Sequence, residues 1–426
     1  MTRYYFAGGV DAPGQPSFFT IVNPEAARAR VRLTFYFPGG ATSTASFNVG
    51  GRTHRTIAVS SLIGASGRPS RFGLVVASDR NIAPGLVLTR VGRDDDTLVG
   101  SSTLARTWYL AEGYTALTFH ETVAILNPDA RRSARVALLL LPANGRGGRE
   151  TVTVTVGAHS ERVVDINALA PDRPLSIVTT STRGIVVERT LTFSSDAAGN
   201  GYGLTTRLGQ TRAAQTWLFA EGTTVNRFET YLTVLNPGTA RAHVTATFYD
   251  SRGHRLAIEP FSVAGLRRAT LRLNDIPRLQ GVEGIASVVT ADRPIVVERP
   301  EYFGSPNAGG IPGSVVFGRI GISPFWIFPG GDTAGKSEFL LLFNPNPRMT
   351  TRARITVYES NGNTASATIT LLPHERGTFD VGRRLSGLTS QRGEVVQTTD
   401  GQGIVVEQTV FAPDHSTLRS TQGLPK

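Results

Sequence analysis

Two short segments that pair a tryptophan with a glutamate are the first candidates for chemistry in this chain. TWYLAEG at 107–113 returns as TWLFAEG at 216–222, and each copy carries one carboxylate after its aromatic residues. An aromatic face beside a hydrogen-bonding acid is typical of a sugar pocket, and two carboxylates about 5 to 10 Å apart could carry glycoside chemistry. With the acid of a later repeated segment, IVVER, the candidate ligand-binding residues are Trp108, Glu112, Glu188, Trp217, Glu221 and Glu298.

A structural interpretation of these acids is the alternative, and the sequence favours it. Isolated acids on strands are common, and each would pair with an arginine of its own or of an adjacent unit. Arg189 and Arg299 directly follow the IVVE acids and point to the opposite strand face, so other partners are needed. The AEG acid is missing from the two outer copies, AGG at 7–9 and PGG at 329–331, which a shared catalytic role would not predict. We therefore predict no catalytic residue and no enzyme activity.

Four repeats of one unit supply the elements that must position these residues. A strand-like segment ending in Asn-Pro occurs four times, at Asn23, Asn127, Asn236 and Asn344. Each repeat opens with a large aromatic residue, which is Tyr4, Trp108, Trp217 or Trp326. The predicted units are 1–105 (a degenerate copy), 106–213, 214–323 and 324–426.

Within one unit the pattern is that of β-strands. ETVTVTV at 150–156 alternates apolar with polar residues, as a half-buried strand does. In the second unit the predicted strands are 107–112, 121–127, 134–142, 150–156, 160–166, 175–181, 185–193 and 203–208. Many short strands separated by turn residues are typical of an antiparallel sandwich. We predict an all-β chain of four tandem antiparallel β-sandwich domains of about 106 residues each, with the opening aromatics in the cores.

Composition excludes several kinds of site. The absence of cysteine excludes disulfides, thiolate metal sites and a cysteine nucleophile. No apolar run reaches the roughly 18 residues of a transmembrane segment, and no histidine pair has zinc-site spacing. The net charge of +11 comes from scattered arginines, so we predict no specific nucleic-acid partner. Asp94, Asp95 and Asp96, in a predicted hairpin loop at 92–102, are interpreted as a solvated turn, and no metal or cofactor is predicted.

The second and third units resemble the transducer protein of Anabaena sensory rhodopsin and its relatives. The resemblance is carried by LAEGYT at 110–115, ETVAILN at 121–127, LRLNDI at 271–276 and ASVVTADRPIVVER at 286–299. It implies a β-sandwich domain that assembles in that family as a homotetramer. It also implies binding of small molecules such as sugars, or signalling through protein contacts, and it carries over no catalytic residue.

These observations predict a non-enzymatic structural or adhesive module, outside the cell or at its surface, as a component of a filament or similar assembly. Its partners would be further copies of itself or other surface proteins. The alternative is a small-molecule or carbohydrate-binding module with sites in the clefts between units and glycans as partners. MTRYYFAGG at the start shows no signal-peptide pattern. Two arrangements stay open for the four units, a closed pseudo-tetramer and an extended row.

Overall fold

The computed structural model describes residues 1–63, 70–90, 94–116, 118–143, 148–194, 202–303, 313–333, 335–385, 387–388, 391–412 and 417–426. Strands make up 65% of the structure and helices 4%, and the sheets are antiparallel, so the predicted all-β sandwich class is confirmed. No helix in the described ranges has the length and hydrophobicity of a membrane span.

The strands fall into four sets, which we call the first to fourth units. The first unit contains β1 (Thr2–Val10), β2 (Ser17–Asn23), β3 (Ala29–Tyr36), β4 (Thr42–Val49), β5 (Thr53–Ala58), α1 (Val59–Ile63), β6 (Arg71–Ser78), β7 (Ala83–Arg90) and β8 (Asp94–Val99). The second unit contains β9 (Ala105–Leu110), β10 (His120–Asn127), β11 (Ala134–Pro142), β12 (Glu150–Val156), β13 (Ser160–Asp165), β14 (Leu175–Ser194) and β15 (Tyr202–Leu208).

The third and fourth units repeat this order. The third contains β16 (Ala214–Phe219), β17 (Phe228–Asn236), β18 (Ala242–Tyr249), β19 (Arg255–Val263), β20 (Arg267–Arg272), two 3-10 turns (Leu273–Asp275 and Pro277–Leu279), β21 (Ala286–Phe303) and β22 (Gly313–Phe317). The fourth contains β23 (Phe325–Asp332), β24 (Ser337–Phe343), β25 (Thr351–Glu359), β26 (Thr364–Leu371), β27 (Arg376–Asp380), α2 (Val381–Arg384), β28 (Gln391–Thr398), β29 (Val405–Phe411), β30 (Leu418–Gln422) and β31 (Leu424–Pro425).

Each unit pairs its strands into two layers. In the first unit the sheet orders are β1-β6-β3-β4 and β5-β2-β7-β8. In the second and third units one long strand, β14 or β21, belongs to both layers and joins them. The prediction of two separate strands at 175–181 and 185–193 was therefore wrong, because residues 182–184 stay extended and carry β14 from one layer into the other.

The opening aromatics hold the two layers together. Trp108, Trp217 and Trp326 are at most 1% exposed and Tyr4 is 2% exposed, so their predicted place in the cores is confirmed. Each donates a side-chain hydrogen bond to a backbone carbonyl near the closing strand of its unit: Tyr4 Oη to Ile82 (2.8 Å), Trp108 Nε1 to Ile185 (3.1 Å), Trp217 Nε1 to Ile295 (2.9 Å) and Trp326 Nε1 to Ile404 (3.2 Å). These aromatic side chains pack in the core with their polar atoms hydrogen bonded, so their role is structural.

Four strands, one from each unit, meet in a closed ring: β8, β15, β22 and β30. The four joints are marked by the hydrogen bonds Thr206 N to Asp96 Oδ2 (2.7 Å), Val315 N to Thr205 Oγ1 (3.1 Å), Ser420 N to Ser314 Oγ (3.1 Å) and Thr421 Oγ1 to Thr97 O (3.4 Å). The chain ends also meet, since Lys426 Nζ lies 3.1 Å from the Tyr4 hydroxyl. Of the two arrangements that the repeats left open, the structure has the closed pseudo-tetramer.

The aspartates at the start of β8 belong to this ring. Asp96 is 1% exposed and pairs with Arg207 of the second unit at 2.6 Å, while Asp95 pairs with Lys336 (3.0 Å) and Arg419 (2.9 Å) of the fourth. The predicted solvated turn in a hairpin loop was therefore wrong. β8 begins at Asp94 inside the predicted loop, and closure of the ring surrounds Asp95 and Asp96 with basic side chains of neighbouring units.

Candidate ligand site in the clefts between units

Ring closure creates four equivalent clefts between neighbouring units. In each, residues at the end of the first strand of one unit, or in the turn after it, face two strands of the next unit: β10 and β14, β17 and β21, β24 and β29, or β2 and β7. The cavity volumes are about 160, 740, 290 and 170 Å³ in the clefts that we call 1/2, 2/3, 3/4 and 4/1 after the units they join. Cleft 2/3 thus holds a cavity more than twice as large as any of the other three.

Aromatic rings and prolines line the cavity of cleft 2/3: Tyr114, Phe119 and Pro174 from the second unit, and Tyr231, Pro300 and Tyr302 from the third. The ring centroids of Phe119 and Tyr302 are 5.8 Å apart at 88°, and those of Tyr231 and Tyr302 are 6.1 Å apart at 66°. Edge-to-face packing of this kind holds aromatic side chains in fixed orientations. The cavity therefore has a preformed aromatic wall.

The repeat register shows how this lining differs from that of the other clefts. Where cleft 2/3 has Tyr231 and Tyr302, the equivalent residues are Thr122 and Thr192 in cleft 1/2, Phe339 and Phe411 in cleft 3/4, and Phe18 and Thr89 in cleft 4/1. Among these four pairs, only that of cleft 2/3 combines aromatic faces with phenolic hydroxyls.

Glu112 lies in cleft 2/3 and pairs with an arginine of the next unit. Its Oε2 atom accepts hydrogen bonds from Arg268 Nη2 (2.8 Å) and from Thr233 Oγ1 (2.6 Å), and the residue is 4% exposed. In cleft 3/4, Glu221 pairs with Arg376 in the same way. The two acids therefore face clefts and also have arginine partners, as the structural interpretation predicted.

The clefts that lack the glutamate also lack the arginine. Gly8 and Gly330 occupy the glutamate position in clefts 1/2 and 4/1, and the arginine position there holds Glu161 and His54. A buried arginine without its carboxylate would be an uncompensated charge. The loss of AEG from the outer copies is thus matched by a change on the facing unit.

Glu188 and Glu298 connect backbone amides across the joints. Glu298 Oε1 accepts from Ala111 N (2.7 Å) and Glu112 N (3.1 Å), and Arg189 of the second unit pairs with both of its oxygens (3.1 and 2.7 Å). Glu188 instead accepts from first-unit amides, Ala7 N at 3.0 Å and Gly8 N at 2.9 Å. Glu298 has the expected arginine partner, whereas Glu188 forms no salt bridge with an arginine among the described residues.

Two further carboxyl groups are buried beside these pairs. Glu121 is 0% exposed, and desolvation raises its pKa to about 8 against the lowering effect of Arg189. Glu301 lies in the equivalent environment next to Arg299, and desolvation raises its pKa to about 7. Both are held largely in the neutral form below neutral pH, because burial disfavours the charged carboxylate.

The predicted site residues do not come together in one place. Glu112 and Glu298 belong to cleft 2/3, Glu188 to the joint of cleft 1/2 and Glu221 to cleft 3/4. Trp108 and Trp217 lie in the cores and do not line cleft 2/3. Sequence reasoning missed Tyr114, Phe119, Tyr231, Arg268 and Tyr302. For Tyr231 and Tyr302 a signal was present in the repeats, as aromatic residues at two positions where the second unit has threonine.

The side chains of the cavity do not form a metal centre. Among the described residues, no group of three or more His, Asp or Glu side chains converges as a metal site would require. The arrangement can instead bind a ring on its aromatic wall and hydrogen bond to polar groups through the phenol and carboxylate oxygens.

Comparisons with known proteins assign no function to the chain. A sequence model described as "Family of unknown function (DUF5719)" matches residues 104–298, and no curated protein matches. The crystal structure of Thermotoga maritima 1070 is similar at 20% identity over 25% of this chain and 93% of that chain, with a TM-score of 0.23. The Anabaena sensory rhodopsin transducer is similar at 31% identity over 20% and 79%, with a TM-score of 0.18.

A tetra-tandem repeat from the extending region of a large adhesion protein is also similar. It is 13% identical and covers 100% of this chain and 99% of that chain, with a TM-score of 0.13. These TM-scores are too low to bear on function, so the functional argument rests on the cleft geometry.

Proposed function

We propose that the chain is a non-enzymatic binding module in which a closed ring of four sandwiches presents one carbohydrate site, in cleft 2/3. The observation that carries this proposal is the cavity of about 740 Å³ with its aromatic and phenolic lining. That volume lies within the range of about 300 to 1,000 Å³ typical of small-molecule sites, whereas the other three clefts fall at or below its lower end.

The chemistry of the wall favours a sugar ring. Sugars present apolar C–H faces that pack on aromatic rings and hydroxyls that need donors and acceptors. Tyr302 and Phe119 supply faces, while Glu112 and the phenol of Tyr114 supply polar atoms. Because Glu112 is already held by Arg268 and Thr233, binding would cost little side-chain ordering.

The non-enzymatic part of the proposal is supported by how the two carboxylates of the cavity are engaged. Glu112 is held by Arg268, and Glu229 accepts from Tyr231 Oη at 2.5 Å and from Arg272 Nη2 at 3.0 Å. Acid–base glycoside chemistry needs one carboxyl group that donates a proton and one that is free to attack or to activate water. Release of sugar products during incubation with a bound glycan would contradict this part.

A glycan array followed by calorimetry tests the site. We expect one binding site per chain, and the double variant Tyr231→Thr/Tyr302→Thr, which copies the residues of cleft 1/2, should bind about tenfold more weakly or worse. The matched control is Phe339→Thr/Phe411→Thr, which makes the same change in cleft 3/4 and should leave affinity unaltered. Absence of any glycan ligand, or equal losses in both double variants, would reject cleft 2/3 as a carbohydrate site.

A second candidate function is structural or adhesive, at the cell surface or outside the cell. It is favoured by the outer sheet edges, because β4, β12, β19 and β26 each pair with a neighbour on one side only among the described strands. Such edges can add strands from other chains, which would permit self-association or contact with other surface proteins. Sedimentation that stays monomeric up to millimolar concentration would count against self-association, and fractionation of the native cells would test the location.

A further inference from the structure

Two consecutive residues beside cleft 2/3 have an unusual backbone conformation. Asn226 has a φ of 50° and Arg227 a φ of 70°, both in the left-handed region. Residues other than glycine rarely adopt this region, and those that do are concentrated at functional sites such as ligand-binding sites. The segment immediately precedes β17, whose Tyr231 lines the cavity.

This conformation sends neighbouring side chains into different clefts. Arg227 lines the cavity of cleft 2/3, whereas Asn226 lines that of cleft 3/4. Arg227 is exposed, and within the part of the chain that the structure describes it forms no ion pair. Its guanidinium thus lies at the rim of the aromatic cavity without a carboxylate partner.

The other charges of the cavity are already paired. Glu112 is neutralised by Arg268 at 2.8 Å and Glu229 by Arg272 at 3.0 Å. Arg227 therefore adds a positive charge at the rim of the cavity that no salt bridge of the described residues neutralises. A guanidinium is suited to hold a carboxylate through two parallel hydrogen bonds.

We propose that the occupant of cleft 2/3 is an acidic sugar, a uronic acid residue whose carboxylate binds Arg227 while its ring packs on the wall of Phe119 and Tyr302. This inference rests on the proposed carbohydrate site and adds the chemical class of its ligand. Neutral sugars would bind without the contact to Arg227, and so more weakly.

Calorimetry with four monosaccharides tests the proposal: glucuronic acid and galacturonic acid against glucose and galactose. We expect the acid of at least one pair to bind about tenfold more tightly than its neutral counterpart, the effect of one charge-assisted hydrogen-bonded contact. In Arg227→Gln that preference should fall to about twofold or less, with neutral-sugar binding kept. Arg278→Gln removes an exposed arginine of the same unit outside the cleft, and this control should keep the preference.

The outcomes separate this inference from the function on which it rests. If acid and neutral sugars bind equally, or if Arg227→Gln keeps the preference, the acidic-sugar proposal is overturned while the carbohydrate site stands. If no sugar of either kind binds, including on the glycan array, both proposals fail. If each variant unfolds at the same midpoint temperature as the wild type, a loss of sugar binding is not caused by a loss of folding.

Discussion

Gly85 and Pro329 meet where the first and fourth units close the ring. Gly85 stands where the second, third and fourth units have Glu188, Glu298 and Glu407, and Pro329 stands where the first three units have an alanine amide. A Cβ atom on Gly85 would lie 2.8 Å from Pro329 Cγ. The joint that lacks the acceptor therefore also lacks the donor supplied elsewhere by the alanine amide, since proline has no N–H.

This relationship predicts coupling between the two positions. Gly85→Glu should destabilise the chain because the new side chain meets the proline ring and lacks the amide that the other units offer at that position. Pro329→Ala should destabilise it by about 1 to 3 kcal/mol because it buries an unsatisfied amide. In the double variant the new acid can accept from the new amide, so urea unfolding should show a favourable coupling of about 1 kcal/mol or more. Purely additive single effects would show that the two residues do not face each other.

We predict that, of the residues that join the second and third units at cleft 2/3, Glu298 contributes most to the free energy of unfolding. Glu298→Ala leaves Arg189 and two amides buried without their acceptor, so unfolding free energy should fall by about 3 to 5 kcal/mol. Glu150→Ala, at the exposed start of β12, is the matched control and should change it by less than about 0.5 kcal/mol. A loss at Glu298 no larger than that of the control would remove its role as an inter-unit contact.

Glu121 predicts a pH dependence of stability. Its folded pKa of about 8 lies above the ordinary value of 4.5, so the folded state holds the proton more tightly than the unfolded state does. Its contribution to stability is therefore fully present below about pH 4.5 and is lost as the pH rises towards 8. Arg189 and Arg268 face the group and oppose the shift, while Glu112 and Glu298 reinforce it.

The measurement is urea unfolding of wild type and Glu121→Gln at pH 5, 7 and 9. The glutamine stays neutral, so the variant should gain stability relative to wild type as the pH rises, by at most about 1.4 kcal/mol per pH unit. Taking the difference between the two proteins cancels the contribution of Glu301, which shifts in the same direction. Parallel curves would mean that Glu121 ionises normally in the folded chain.

The local pattern of the sequence was sufficient to predict that each unit consists of β-strands and that Trp108 and its equivalents are buried in the cores. It also indicated that Glu112 and Glu221 would pair with arginines, because an isolated acid on a strand needs such a partner. Strand alternation reports which side of a strand is buried and not which neighbouring unit it meets. The repeats mark Tyr302 as an aromatic residue where the second unit has threonine, but its contact with Phe119 and the burial of Asp96 depend on ring closure, which strand alternation does not report.

Closure of the ring is the claim on which the four clefts depend, and the radius of gyration from small-angle X-ray scattering tests it most directly. A compact body of this chain length should give about 22 Å by the usual scaling. The contacts of Asp95 with Lys336 and Arg419, and of Lys426 with Tyr4, require that compact value for the monomer in solution. A monomer with a radius of gyration well above 22 Å and the scattering profile of an extended rod would contradict the ring.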